Sequence, residues 1–206
     1  MTILQIVAAE SPFDRPALGV RAARLLGLAE AMGLLTGGVP IARLDRAAIL
    51  GPVAELVRLG IGRDAALELR TTDDPDRLAD LLDRLYAELE ASPAPVSECR
   101  ALVAVLGLDT LAALSGASPS SLRRYAAGER GVPDEVAARV HTLALIVAEL
   151  AGGYNDFGIR RWFARPRSQL AGKAPAGVLR HGWNPDGAPA MRVRELAAAI
   201  NSSPAT

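Results

Sequence analysis

Residues 108–125 read LDTLAALSGASPSSLRRY, a pattern that predicts two short helices joined at Gly116. Leu111 and Leu114 give the first helix an apolar side, and Asp109 is in position to cap its start. Gly116 supplies the left-handed conformation that a tight turn between crossing helices needs. The stretch therefore predicts a helix-turn-helix.

The second helix of this pair has a clear start and an inward face. Ser118 is expected to cap it and Pro119 to occupy its first position, where a missing N–H costs nothing. Leu122 and Tyr125 recur at helical spacing and should pack inward. An ordinary helical hairpin is the alternative, because Ser115 stands where helix-turn-helix motifs usually carry a larger aliphatic residue.

The outward side of the second helix carries arginines and short hydroxyls. In a DNA major groove, arginine pairs bidentately with guanine, and serine reaches bases or phosphates. Dimerisation is expected because one short helix contacts few bases, whereas two helices about 34 Å apart read a palindrome together. The residues predicted to face DNA are Ser118, Ser120, Ser121, Arg123 and Arg124, with Arg130 near a phosphate.

Charge is distributed unevenly along a chain whose formal net charge is zero. Up to Glu98 there are 10 basic and 15 acidic residues, and from Cys99 onward there are 13 basic and 8 acidic residues. The asymmetry predicts an anionic partner for the C-terminal part, although some of these cations are also expected as ordinary solvated surface. The cations concerned are Arg123, Arg124, Arg130, Arg139, Arg160, Arg161, Arg165, Arg167, Lys173 and Arg180.

Composition favours a mainly α fold, because alanine, leucine and arginine dominate and aromatic residues make up 4% of the chain. A single cysteine, Cys99, excludes an intramolecular disulfide. No basic leader and no long apolar run occur, so we expect a cytoplasmic protein without a membrane partner.

Catalytic and metal-binding patterns are missing from the sequence. No zinc-protease, phosphate-loop or nucleophile-elbow motif occurs, and His141 and His181 are the only imidazoles. The acidic run at 73–76 is explained by helix capping rather than by a metal site. We therefore expect no enzyme, no cofactor and no metal ion, and we expect His141 to be a surface or half-buried packing residue.

The first 90 residues show helical periodicity after a short strand predicted at 2–7. One helix is expected to end at the break formed by residues 36–40, and Asp45 and Asp74 are in position to cap two later helices. The helix after Asp74 should carry an Asp80–Arg84 pair on its flank. A leucine stripe on this helix predicts core, with a dimer seam as the alternative, at Leu78, Leu81, Leu82, Leu85 and Leu89.

Residues 91–97 have the composition of a linker, with small side chains and two prolines. Because the charge changes sign nearby, we predict a boundary after an acidic helical N-terminal module, 1–95. Beyond the helix pair, residues 133–135 open a long helix with an apolar stripe of Val136, Val140, Leu143, Val147 and Leu150. The tail should then form a short helix ended by Pro166, another entered at Pro175, and a final helix at 192–200.

The order of these elements resembles the Xre-type antitoxins, whose C-terminal domain binds RES-domain toxins. That family combines a helix-turn-helix, a long connecting helix, an aromatic residue and a proline, a leucine–glycine step and a proline-initiated helix. The resemblance extends over roughly residues 96–200, with Ser115 and an enlarged loop at 182–189 as departures. The matching tail positions are Trp162, Pro166, Leu170, Gly172, Pro175 and Leu179.

The resemblance implies an antitoxin that binds a RES-type, NAD-consuming toxin directly and represses its own operon. It implies a helix-turn-helix module at 96–151 and a small helical toxin-binding domain at 152–206. The expected partners are operator DNA, the RES-domain toxin and further copies of the chain, in a homodimer or larger assembly. Residues expected at the toxin contact are Arg161, Trp162, Phe163, Arg165, Pro166, Leu170, Gly172, Pro175 and Leu179.

Three alternatives stay open at this point. For Trp162 and Phe163 individually, core packing is as good an explanation as toxin contact. The whole chain could be a stand-alone helix-turn-helix regulator without a toxin, which an adjacent toxin gene would argue against. It could also be a helical adaptor that binds only protein, which salt-dependent DNA binding would exclude.

Overall fold

The computed structural model describes residues 4–35, 40–180 and 182–202, and within these ranges the fold is mainly α, as predicted. His181 and most of the predicted break at 36–40 lie outside the described residues. The elements in chain order are β1 (Leu4–Ala9), α1 (Pro16–Ala31), β2 (Ile41–Leu44), α2 (Arg46–Arg58), α3 (Arg63–Leu69), α4 (Pro75–Glu90), α5 (Pro95–Leu106), α6 (Leu108–Ser115), α7 (Pro119–Ala126), α8 (Asp134–Ala151), α9 (Asp156–Ala164), a 3₁₀ turn (Ser168–Leu170), α10 (Pro175–Val178) and α11 (Ala188–Ser202).

The chain divides into two compact units, Met1–Pro93 and Ala94–Thr206. The predicted linker at 91–97 is too long, because α5 already begins at Pro95, a residue suited to the first position of a helix. The second predicted boundary, between residues 151 and 152, falls inside the second unit, in which α8 packs against α11.

Helices α1 and α4 pack together in the unit Met1–Pro93. The leucine stripe of α4 is fully buried, so it forms core within this unit. Asp45 accepts a hydrogen bond from the Ala48 N–H at 2.8 Å, and Asp74 accepts one from the Asp76 N–H at 3.0 Å, which confirms both predicted caps. The predicted Asp80–Arg84 pair is not formed; Arg84 instead approaches Glu88, one turn further along, at 3.9 Å.

A two-stranded parallel sheet accompanies these helices. Strand β1 agrees with the predicted strand over its described part and pairs with β2, with Leu4 opposite Ile41 and Ala9 opposite Leu44. Sequence reasoning missed β2, because four residues of which two are exposed give too short a pattern to recognise.

In the unit Ala94–Thr206, α5 packs against α6, α7, α8 and α9. The predicted stripe of α8 is buried except at Val136, which is half-buried near the start of the helix. The final helix α11 begins at Ala188, four residues earlier than predicted, because Pro189 fits the first turn of a helix. The loop before it is correspondingly shorter than the sequence suggests.

Within the described ranges no single helix is long and apolar enough to cross a membrane. Helices α8 and α9 reach the required length and composition only when taken as a pair, and that pair is bent by 116°.

Candidate functional site

The turn between α6 and α7 has the local geometry that the sequence predicts. Gly116 adopts a left-handed conformation with φ of 76°, and the Ser118 Oγ accepts a hydrogen bond from the Ser121 N–H at 3.1 Å. Pro119 is the first residue of α7. The inward residues Leu111, Leu114, Leu122 and Tyr125 are all buried. The predicted cap at Asp109 is wrong, because α6 already begins at Leu108 after Gly107.

Of the six predicted DNA-facing residues, Ser120, Arg123 and Arg124 are exposed on α7 itself, Ser118 is exposed at its cap and Arg130 beyond its end. Arg123 and Arg124 are exposed in its second half, and no acidic residue lies in its first turn. The Ser118 Oγ lies 3.0 Å from the hydroxyls of both Ser120 and Ser121, so the three hydroxyls form one cluster at the start of the helix. Ser121 is the half-buried member of the set.

The C-terminal end of α7 is anchored to α5 by a side chain. The guanidinium of Arg100, on α5, donates from Nε and Nη2 to the carbonyl of Ala126 at 3.2 and 3.0 Å, which satisfies a carbonyl at the end of the helix. Beyond that end, Arg130 is exposed and its guanidinium carbon lies 6.0 Å from the centre of the Tyr125 ring. The C-terminal end of α7 is therefore held by α5, while Arg123 and Arg124 are exposed.

Many cations of the second unit have no anionic partner among the described residues. Among the residues that the structure describes, none accepts a hydrogen bond or forms an ion pair with the side chain of Arg123 or Arg124. The same holds for Arg161, Arg165, Lys173, Arg180 and Arg192. Unneutralised positive charge on this unit favours an anionic partner.

The first unit differs, because most of its arginines are neutralised within the unit. The pairs are Arg21–Asp83, Arg43–Glu10, Arg46–Asp73, Arg58–Glu55, Arg77–Glu68 and Arg84–Glu88. The hydrogen bond from Arg77 holds the pKa of Glu68 below its usual range. These contacts are surface ion pairs, and they involve six of the ten arginines of the first unit.

The tail residues predicted to contact a toxin fall into two groups. Arg161, Arg165, Pro166 and Gly172 are exposed. Leu170, Pro175 and Leu179 are buried, and so are Trp162 and Phe163, whose rings meet edge to face with centroids 5.3 Å apart. These two aromatic residues therefore pack in the core, which was the alternative to toxin contact, and their rings expose almost no surface that a partner could contact.

A cleft of about 540 Å³ lies between the segment that follows Pro166 and the start of α11. Met191, which is 54% exposed, contributes apolar surface to this cleft. Lys173 and Arg192 contribute positive charge, and Glu195 contributes negative charge. The remaining lining residues are Gln169, Leu170, Ala171, Val178, Ala188 and Pro189.

Arg139 and Trp183 were not recognised from the sequence as partners of the turn. The Trp183 Nε1–H donates to the Leu114 carbonyl at 2.7 Å. Arg139 donates from Nε to the Trp183 carbonyl at 3.0 Å and from Nη1 to the Ser115 carbonyl at 3.2 Å. The available signal was that a buried tryptophan N–H needs an acceptor, but nothing in the sequence says which one.

A second missed feature is a buried pair between α5 and α8. The Nδ1 of His141 lies 2.6 Å from Oε1 of Glu98, and both side chains are buried, so the expectation of a plain packing role for His141 is incomplete. Oε2 of Glu98 has no hydrogen-bond partner among the described residues. Burial, with a smaller effect from Glu98, raises the pKa of the neighbouring Cys99 thiol to about 11.

The chain matches no protein-family model, no curated protein and no solved structure. Among the described residues no group of three or more His, Cys, Asp or Glu side chains could hold a metal ion. The arrangement offers exposed guanidinium groups on an anchored helix, a geometry that suits the recognition of an anion.

Proposed function

We propose that this chain is a cytoplasmic antitoxin that binds its own operator DNA through α7 and neutralises a RES-type toxin through the tail, 152–206. In this proposal it is not an enzyme and uses no cofactor. The observation that carries it is the pair Arg123 and Arg124, which are exposed and have no ionic partner among the described residues, on a helix whose C-terminal end is held by Arg100.

The geometry of α7 suits DNA recognition. Its eight residues correspond to a length of about 12 Å, and that is enough to present one or two side chains to base edges in the major groove. Such a helix alone gives few contacts, so we infer a dimer that reads two half-sites about 34 Å apart. The cluster of three serine hydroxyls at the start of α7 adds donors for phosphate oxygens.

Support for the toxin part comes from the order of the tail elements and from its free cations. Because Trp162 and Phe163 are buried, we assign the contact to exposed neighbours, chiefly Arg161 and Arg165 on α9 and just after it. Arginine is enriched at protein interfaces and pairs well with carboxylates. The proposal thus expects an acidic surface on the toxin.

DNA binding is tested by fluorescence anisotropy with the duplex that lies upstream of the gene. The variant is R123A/R124A, and the matched control is R63A/R70A, which removes two exposed arginines from the first unit. Loss of each guanine contact should weaken binding by about 1–3 kcal/mol, and loss of phosphate contacts should make the salt dependence less steep. Equal affinity of the two variants for this duplex would contradict the proposal.

Toxin neutralisation is tested by co-expressing the chain with the neighbouring gene, scoring growth, cellular NAD and co-purification. R161A/R165A should no longer restore growth or form the complex, but it should still bind DNA. R123A/R124A should restore growth and form the complex, but it should not bind DNA. A neighbouring product that is harmless and does not co-purify would support the stand-alone regulator instead. Absence of salt-dependent DNA binding would leave the helical adaptor as the better description.

A further inference from the structure

The end of α6 is held by residues from two distant parts of the chain. Trp183, in the loop before α11, is 8% exposed and donates its indole N–H to the Leu114 carbonyl. Arg139, on α8, donates to the Ser115 carbonyl and to the carbonyl of Trp183 itself. Both α6 carbonyls belong to the last turn of a helix, where no intrahelical partner exists.

Arg139 also packs against the backbone of the turn. A Cβ added at Gly116 would lie 3.3 Å from its Nη1, and one added at Gly182 would lie 3.7 Å from its Nη2. Both glycines have a left-handed conformation. The guanidinium is therefore fitted closely between the α6–α7 turn and the loop that carries Trp183, and Nη2 lies 3.3 Å from Glu135.

We propose that Arg139 and Trp183 are positioning residues that fix the direction in which α7 leaves Gly116, and thereby set how well the chain discriminates its operator from other DNA. The proposal rests on the DNA-binding part of the proposed function. Its physical basis is that phosphate attraction depends on the number of cations, whereas base recognition depends on where their guanidinium groups stand.

The two contributions to DNA binding can be separated because neither positioning residue belongs to the exposed face of α7. Removing the Trp183 N–H does not remove the charges of Arg123 and Arg124, so binding to unrelated DNA should persist. Misdirection of α7 costs base contacts, and the loss of one good contact corresponds to about a tenfold change in affinity. A residue that only stabilised the fold would weaken binding to both kinds of DNA together.

The test uses Trp183→Phe, which keeps an aromatic ring but lacks the N–H. Its matched control is Trp162→Phe, because the Nε1 of Trp162 is buried and has no hydrogen-bond partner in the part of the chain that the structure describes. The same substitution there removes no such bond. Arg139→Lys is the second variant, which keeps the charge but cannot reproduce the fork of donors. Each is assayed against the upstream duplex and a scrambled duplex of equal length, with thermal unfolding measured in parallel.

We expect W183F and R139K to lower the ratio of affinities for the upstream and scrambled duplexes by about tenfold, with scrambled binding unchanged, and W162F to leave the ratio alone. Amide hydrogen exchange in α7 should accelerate in W183F and R139K only. An unchanged ratio in both variants, or an equal loss on both duplexes, would overturn the proposal. If the wild type itself does not prefer the upstream duplex, or if R123A/R124A retains that preference, the proposed function fails and this inference with it.

Discussion

Replacing His141 with leucine is expected to destabilise the unit Ala94–Thr206 by about 1–3 kcal/mol, the cost of leaving a buried polar group without its partner. The substitution leaves Glu98, which is fully buried, without the 2.6 Å contact to Nδ1, while its other oxygen has no hydrogen-bond partner among the described residues. The expected loss therefore comes from the desolvation of this carboxyl group.

The double variant E98L/H141L separates the cost of leaving one buried polar group unpaired from the net contribution of the pair to stability. Leucine at both positions replaces polar atoms with apolar ones of similar volume, a change that is often neutral or stabilising in buried pairs. We therefore expect the double variant to be more stable than H141L alone. This non-additivity follows from direct contact between the two side chains.

Urea unfolding followed by tryptophan fluorescence is the suitable assay, because both tryptophans of the chain, Trp162 and Trp183, lie in this unit. We compare the unfolding midpoints of the wild type, E98L, H141L and E98L/H141L. Where the slopes of the transitions are equal, the differences between midpoints report differences in stability. A loss below about 1 kcal/mol in H141L, or a double variant whose loss equals the sum of the single losses, would refute the reasoning.

Three further outcomes can be measured in the same way. Gly116→Ala should destabilise the fold more than Gly128→Ala. At both positions an alanine in the left-handed conformation costs about 1–2 kcal/mol, but only at Gly116 does the added Cβ also lie 3.3 Å from Arg139. Equal losses of stability would contradict this. The pKa of the Cys99 thiol is raised to about 11, so the folded chain keeps this proton at pH values where the unfolded chain has lost it. The free energy of unfolding should therefore fall by about 1.4 kcal/mol per pH unit between about pH 8.5 and about pH 11. Cys99→Ala should lack this slope, and a slope that persists in it would exclude the thiol. Asp74→Ala should lose about 1 kcal/mol in urea unfolding followed by circular dichroism, through loss of the α4 cap; an unchanged midpoint would show that the cap contributes little.

Features that depend on a few neighbouring residues could be predicted from the sequence. The start of α7 follows from Ser118 and Pro119, since a cap and a first-position proline act within one turn. The left-handed turn at Gly116 follows equally from local chemistry. The error at Asp109 is of the same local kind: α6 begins one residue before it, so its carboxylate lies in the first turn and helps only through the helix dipole.

Contacts between distant residues could not be predicted. Trp183 meets Leu114 across 69 positions, and His141 meets Glu98 across 43. Periodicity marks a side chain as inward-facing, but it does not say which helix lies opposite. Trp162 shows the same limit: the sequence leaves toxin contact and core packing open for this residue, and only the packing of α9 shows that it is buried.

The long-range contacts also bear on how the two proposed activities relate. Trp183 lies five residues before Ala188, where α11 begins and where the cleft is lined by Ala188, Pro189 and Met191. The intervening turn is closed by a hydrogen bond from the Gly187 N–H to the Asn184 carbonyl at 3.0 Å. The start of α11 and the indole that holds Leu114 are therefore joined by one short turn of the chain. Thus, if a partner binds the cleft and moves this end of α11, its effect on operator discrimination should disappear in W183F, whereas a partner that only blocks α7 sterically should act equally on both proteins.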